Sequence, residues 1–227
     1  MKKLTIFSSL VLLGAVSLAS VPAQPAIAGC GGLLGPCPPN SPRPQPPDWA
    51  TFEGRFRKMN DWGSNRGYIS CYPNFHQGHS SSGDVLGAVC LKGSGITSQS
   101  LYAVDLGSPP SPDARFRAVA DWASKNGSAA GYPNFHQLDR GKGLFYGAIL
   151  LPSEAVDSQD IPAQELGFPS SSEERFRAIN NWATRRGYVG GFPNFNQADY
   201  GQGVVFGAVL IKSGYGQGVS IPLSELR

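Results

Sequence analysis

Charge, cysteine and histidine are all scarce in this chain. Only 15% of its 227 residues are Asp, Glu, Lys or Arg, while 41% are apolar. Such a chain builds a core rather than staying a solvated coil. The formal net charge is +3, from 19 basic against 16 acidic side chains. Two of the basic residues, Lys2 and Lys3, lie in a segment expected to be removed, which leaves the balance near neutral. No run of Lys and Arg gathers, so a nucleic-acid partner is not expected. The sequence contains no nucleophile elbow, phosphate loop, paired catalytic carboxylates or Cys/His pair. No catalytic centre and no cofactor are therefore expected. The three histidines, His76, His79 and His136, form no local cluster with other ligands, so no metal site is expected either.

The one long apolar run is at the start. Lys2 and Lys3, then Leu4 to Val21, then Pro22 and Pro25, then Ala26-Ile27-Ala28 have the order of a secretory signal peptide cleaved after Ala28. No later run is long enough to span a bilayer. Ile27-Ala28-Gly29-Cys30 also fits a lipoprotein box with Cys30 as the lipidated residue. Five residues, two of them the prolines Pro22 and Pro25, separate that box from the apolar run, which argues against it. The expected location is secreted, periplasmic or otherwise extracytoplasmic. Four cysteines in an exported chain read as two disulfides with three possible connectivities. The local pairing is Cys30 with Cys37 and Cys71 with Cys90.

Residues 29–47 form a Pro-rich arm, with seven prolines among the twelve positions from Pro36 to Pro47. An extended spacer is expected there. After the arm the chain repeats with a step of 60 residues. Arg55-Phe56-Arg57 returns as Arg115-Phe116-Arg117 and Arg175-Phe176-Arg177. Pro73-Asn74-Phe75 returns as Pro133-Asn134-Phe135 and Pro193-Asn194-Phe195. The three copies span 48–106, 107–166 and 167–227.

Each copy reads as helix, strand, strand. Thr51, Ser111 and Ser171 are N-cap candidates, with Pro112 at a first helical position and Glu174 completing a capping box. Gly67, Gly127 and Gly187 mark the helix ends. Phe176, Ile179 and Ala183 share one helical face, and Arg57–Asp61 and Arg117–Asp121 are spaced to pair on the other. A short strand, Tyr188 to Phe192 in copy three, is expected to end at the PNF turn. The next strand is almost wholly apolar, so both of its faces should be covered. Gly87, Gly147 and Gly207 interrupt it, which implies a bulge or a close approach. The fold class is α+β: three tandem helix–strand–strand units packed as one body, with approximate threefold symmetry. Three independent beads are the alternative. Cys71 and Cys90 are confined to copy one, one on each strand, and this supports their pairing.

Two sets of residues are candidates for binding. Trp62, Trp122 and Trp182 recur at the edge of each helix's apolar face, where an aromatic ring can stack on a sugar or simply pack. Asn74, His76 and Gln77, then Asn134, His136 and Gln137, then Asn194, Asn196 and Gln197 follow each proline. Their amides suit hydroxyl-rich ligands, and the competing reading is that Asn caps its own turn. Asp139–Gly143 and Asp199–Gly203 resemble calcium loops but carry one carboxylate each, so plain glycine turns are expected. Distinctive polar residues that come in threes favour several weak, equal sites. The expected function is an exported bacterial multivalent binding protein for glycans or cell-envelope polymers. A structural or interaction protein of the envelope is the alternative, and an enzyme or protease inhibitor is disfavoured.

Overall fold

The computed structural model describes residues 48–227, apart from Ser82, Arg140, Lys142, Tyr200 and Gln202. The signal peptide, the Pro-rich arm, Cys30 and Cys37 lie outside the described residues. After a 3-10 turn at Asp48–Ala50, copy one contains α1 (Phe52–Ser64), β1 (Ser70–Ser80), β2 (Gly83–Leu91) and β3 (Thr97–Tyr102). Copy two contains α2 (Pro112–Lys125), β4 (Ala130–Asp139), β5 (Leu144–Leu151) and β6 (Val156–Pro162). Copy three contains α3 (Ser172–Thr184), β7 (Gly190–Asp199), β8 (Val204–Ile211) and β9 (Gly216–Pro222).

The helices begin where side-chain oxygens replace missing backbone acceptors. Thr51, Ser111 and Ser171 accept from the backbone N–H of Gly54, Ala114 and Glu174. The Glu174 carboxylate meets the Ser171 backbone N–H, as the expected box requires, and also reaches one residue further back to accept from Ser170 N and Oγ. Gly67, Gly127 and Gly187 follow the helix ends at φ of 82°, 83° and 87°, a region that favours a residue without a Cβ.

The third strand of each copy leaves its own unit. The three antiparallel sheets run β1-β2-β9, β3-β5-β4 and β6-β8-β7. Copy one therefore lends β3 to copy two, copy two lends β6 to copy three, and β9 returns to copy one. The last strand closes the ring by pairing with the first sheet, with Leu86 opposite Ile221.

The central strand of each sheet is covered on both faces, as its composition requires. In β8, Ala208 and Leu210 face a cluster with Ile179, Trp182 and Ala183 of α3. Val209 and Ile211 face the shared central core. That core is two stacked aromatic triangles. Phe56, Phe116 and Phe176 meet edge-on at 5.5, 5.5 and 5.4 Å. Tyr72, Tyr132 and Phe192 do so at 5.4, 5.3 and 5.1 Å. All six rings are buried. Edge-to-face pairs add about 0.5–1.5 kcal/mol each beyond burial. A Phe-to-Ala change here should cost roughly 3–5 kcal/mol. Phe52, which has no counterpart in the other copies, packs against Phe56, Phe75, Phe116, Phe135 and Phe176.

The second triangle is symmetric in shape but not in polarity. Tyr132 donates to Ser70 Oγ, which donates to Asn60 Oδ1, all buried. The corresponding set around Tyr72 is Gly190 and Asn180, and neither Tyr72 Oη nor Asn180 Oδ1 has a hydrogen-bond partner. Around Phe192 the set is Ala130 and Ala120, with no polar atom to satisfy. Burial raises the phenol pKa of both tyrosines above the ordinary value, so both stay neutral.

Cys71 and Cys90 sit opposite each other on β1 and β2 and form a disulfide. The bridge comes with a third change. Gly63 of α1 faces the bridge, and a Cβ there would overlap Cys71 Sγ. In the other copies that helix position is Ala123 or Ala183, packed over Gly131 or Gly191 and Leu150 or Leu210. Sulfur in copy one thus occupies the space of an alanine methyl elsewhere.

Two outcomes follow. Tyr132→Phe should lower unfolding free energy by about 0.5–1.5 kcal/mol, whereas Tyr72→Phe should leave it unchanged or raise it, as measured by urea denaturation. The triple change Ala123→Gly, Gly131→Cys and Leu150→Cys should create a second bridge in copy two. Mass spectrometry would show no new free thiols, and stability should rise by up to about 3 kcal/mol.

Candidate functional site

The PNF segment does not end its strand. β1, β4 and β7 run through it with an interruption in register between Pro73 and Gln77, and equivalently in the other copies. The phenylalanine of each segment takes a left-handed conformation, with φ of 60°, 63° and 61° at Phe75, Phe135 and Phe195. Such a φ costs a bulky residue of order 1–3 kcal/mol. Three local devices hold it. The Asn74, Asn134 and Asn194 side chains accept from the N–H two residues on, at 3.0, 3.0 and 2.9 Å. Each amide occupies space left by Gly87, Gly147 or Gly207 on the paired strand, where a Cβ would overlap its Oδ1. Each Phe ring is buried among the aromatic core.

The neighbouring copy supplies the fourth device. Arg57 donates to the Phe135 carbonyl at 3.4 Å, Arg117 to that of Phe195 at 3.4 Å, and Arg177 to that of Phe75 at 3.2 Å. The expected pairing of Arg57 with Asp61 is therefore not made. Arg57 instead meets Asp48 and Glu53 as well as the carbonyl, and Arg117 likewise turns to Phe195. The reason is that other acceptors take both guanidinium groups: Asp48, Glu53 and the Phe135 carbonyl take Arg57, and the Phe195 carbonyl takes Arg117. The first Arg of each motif points inward. Arg115 lies over Phe135 and Tyr146 at 5.1 and 4.3 Å, and Arg175 over Phe195 and Phe206 at 5.4 and 4.3 Å. Acids of the preceding copy face them. Glu173 is 3.3 Å from Arg55, and Glu53 is 3.8 Å from Arg115. Burial lowers the pKa of Arg175, and Asp113 raises it in part.

The candidate amides thus divide. Asn134 is buried and Asn74 and Asn194 are half-buried, all three bonded within their own turns. Gln77, Gln137 and Gln197 are exposed, Asn196 is exposed, and His76 and His136 are half-buried. These six side chains stand beside the bulge at the junction of two copies. His136 Nε2 lies 2.9 Å from Asp61 Oδ1 on α1 of the preceding copy, without hydrogen-bond alignment. His79 pairs with Asp84 across its own hairpin. Asp139 and Asp199 accept from Gly141 and Gly201 N–H at the hairpin ends. Among the described residues no group of three or more His, Cys, Asp or Glu side chains gathers.

The tryptophans form a second set on the helices, and in copy two Trp122 lines one groove with Arg117 and Asp121. Trp62 and Trp182 donate through Nε1 to Glu225 and Glu165, both at 2.8 Å. Arg66 and Arg186 lie over the two rings and pair with the same two carboxylates. The sequence names the Trp positions but not these clamps, because Glu225 is 163 residues from Trp62. Trp122 has no such clamp. The acids come from the 3-10 turns Ala163–Leu166 and Leu223–Glu225 that follow the exchanged strands β6 and β9. Beside Trp122 and Leu106 an open groove of about 380 Å³ runs along α2.

No family model matches the chain, and neither curated proteins nor solved structures give a match.

Asn134→Ala should cost about 1–3 kcal/mol, because the His136 N–H loses its acceptor. Gln137→Ala should change the unfolding free energy by less than about 0.5 kcal/mol. Chemical denaturation of the two variants side by side checks both.

Proposed function

We propose that the protein is an extracytoplasmic, non-catalytic binding protein that presents three like surfaces to a hydroxyl-rich glycan or cell-envelope polymer. The observation that carries this reading is the repeated set of exposed Gln77, Gln137 and Gln197, with half-buried His76 and His136 and exposed Asn196 beside them. Each set stands at the same place beside a rigid bulge. A backbone held at positive φ by four separate contacts presents its neighbouring side chains without much loss of freedom on binding. Side-chain amides and imidazoles donate and accept at once, as sugar hydroxyls do. Three such sites on one body gain by avidity on a repeating polymer, although each is weak.

The location rests on the disulfide and on the first 28 residues. The Cys71–Cys90 bridge fits an oxidising compartment. No helix among the described residues is long and apolar enough to cross a membrane. Secretion or periplasmic retention follows from the signal-like start.

A second reading, a structural envelope protein, draws on a specific observation. Asn74, Asn134, Asn194 and the second Arg of each motif are all engaged in holding the ring together, so much of the repetition serves packing.

Binding of the chain from residue 48 to isolated cell-wall polymers and to a glycan array separates the two. Under the binding reading, Gln77→Ala, Gln137→Ala and Gln197→Ala together should weaken retention on the polymer by about 100-fold or more. Each single change should have a small effect, and the melting temperature should hold. No retention on any polymer by the unaltered chain would leave the structural reading in place.

A further inference from the structure

Copies one and three each hold a three-part assembly on the outer face of the helix. In copy one the Arg66 guanidinium is 4.2 Å from the Trp62 ring centroid and 2.6 Å from Glu225 Oε2. That same oxygen accepts the indole N–H. In copy three Arg186 is 3.6 Å from the Trp182 centroid and 3.0 Å from Glu165 Oε2, which again accepts the indole N–H. Ring face, carboxylate and guanidinium form one closed unit, and it occurs twice independently in the same molecule.

Copy two keeps two of the three parts. Trp122 is at the ring position and Asp105 at the acid position, one methylene shorter. The arginine position is Asn126, and its amide donates to the Trp122 carbonyl at 2.8 Å, turned back onto the end of α2. Among the described residues, the Trp122 indole N–H and the Asp105 carboxylate form no hydrogen bond or ion pair. Both border the open groove along α2, and Asp121 borders it as well. Of the two cations in the groove, Arg117 is committed to the Phe195 carbonyl. Lys125 is exposed, with an ammonium group that cannot stack a planar fork on an indole.

We propose that the Trp122 ring face and the Asp105 carboxylate, at the border of this groove, are a receptor site for an arginine side chain of a partner protein or peptide. The occupant is identified by the molecule itself: in copies one and three the chain's own guanidinium lies on the equivalent indole and carboxylate, while the groove alongside recurs open in copy three, at about 370 Å³. A guanidinium lies flat on an indole face through cation–π attraction and pairs edge-on with a carboxylate. Asp105 and Asp121 supply the negative charge, against which Arg117, held on the Phe195 carbonyl, and Lys125 are the opposing cations. A single partly exposed site of this kind binds a free guanidinium weakly, so useful affinity requires flanking contacts from the partner. This inference goes beyond the polymer-binding reading, because it uses none of the Gln or His side chains.

The test is NMR of the 15N-labelled chain, following the indole N–H signals during titration with N-acetyl-arginine-amide. The Trp122 signal should shift and saturate in the millimolar range, while Trp62 and Trp182 serve as unmoved internal controls. N-acetyl-lysine-amide should bind about fivefold more weakly or less. Asn126→Arg supplies the guanidinium in cis and should abolish the shift. Arg186→Asn should open a second site, so that the Trp182 signal also moves. A short arginine-containing peptide that binds more tightly than the capped amino acid would identify a polypeptide as the source. No saturable shift, an equal response to the lysine compound, or an unchanged response in Asn126→Arg would each overturn the proposal.

Discussion

Three backbone carbonyls, presented by phenylalanines in a left-handed conformation and each capped by an arginine of the preceding copy, hold the body together. Phe75, Phe135 and Phe195 pay a backbone strain of order 1–3 kcal/mol each. Burial of each ring returns about 1.5–3 kcal/mol. The arginine bonds are long, at 3.2–3.4 Å, so they contribute direction more than strength. The same φ that exposes the carbonyl outward turns the ring inward to the axis. One local conformation therefore joins neighbours twice, through a polar bond outside and an aromatic contact inside. The two most obvious motifs of the sequence, RFR and PNF, are the two halves of this single joint.

A symmetric frame lets each copy vary where the joint is not involved. Copy one replaces an Ala–Gly–Leu contact with Gly63, Cys71 and Cys90. The second aromatic triangle runs from a complete hydrogen-bonded set at Tyr132, through an unpartnered pair at Tyr72 and Asn180, to an apolar set at Phe192. The tryptophan clamp is complete in two copies and partial in the third. In every case the shape is kept and the chemistry changes. This is how close packing constrains a core, since volume is felt at once whereas polarity matters only when partners fail.

Much of the fold was legible from the residues. Helix starts at Thr51, Ser111 and Ser171, helix ends at Gly67, Gly127 and Gly187, the doubly covered central strands and the Cys71–Cys90 pair all follow from local patterns. The glycines Gly87, Gly147 and Gly207 correctly announced a close approach, and the partner turned out to be the PNF asparagine. The final short piece of each copy, such as Ser220 to Leu226, reads as a return to the next unit, but its pairing there as a sheet strand was not legible, because Thr97–Tyr102 reads the same whether it pairs within its copy or with the next. The PNF segment reads as a turn and not as a bulge within a strand, because only one cause of the positive φ, the asparagine just before each phenylalanine, is local. The others are a glycine on another strand and an arginine on another copy. At the candidate site, positions were visible but partners were not. Trp62 and Glu225 stand at opposite ends of the folded region, and only ring closure brings them together.

That closure has a consequence for how the protein behaves in company. Each sheet accepts a strand of the same kind from its predecessor, and the first sheet takes β9 only because the tail of the same molecule arrives there. The tail of a second molecule presents the same strand, the same Ile221 and the same Glu225. A newly made chain thus chooses between biting its own tail and extending an open chain of molecules. Self-closure wins where the tethered tail's local concentration exceeds that of strangers. Crowding at high protein density shifts the choice toward head-to-tail strings, in which only β2 of the first molecule and β9 of the last lack the partner that the closed ring supplies.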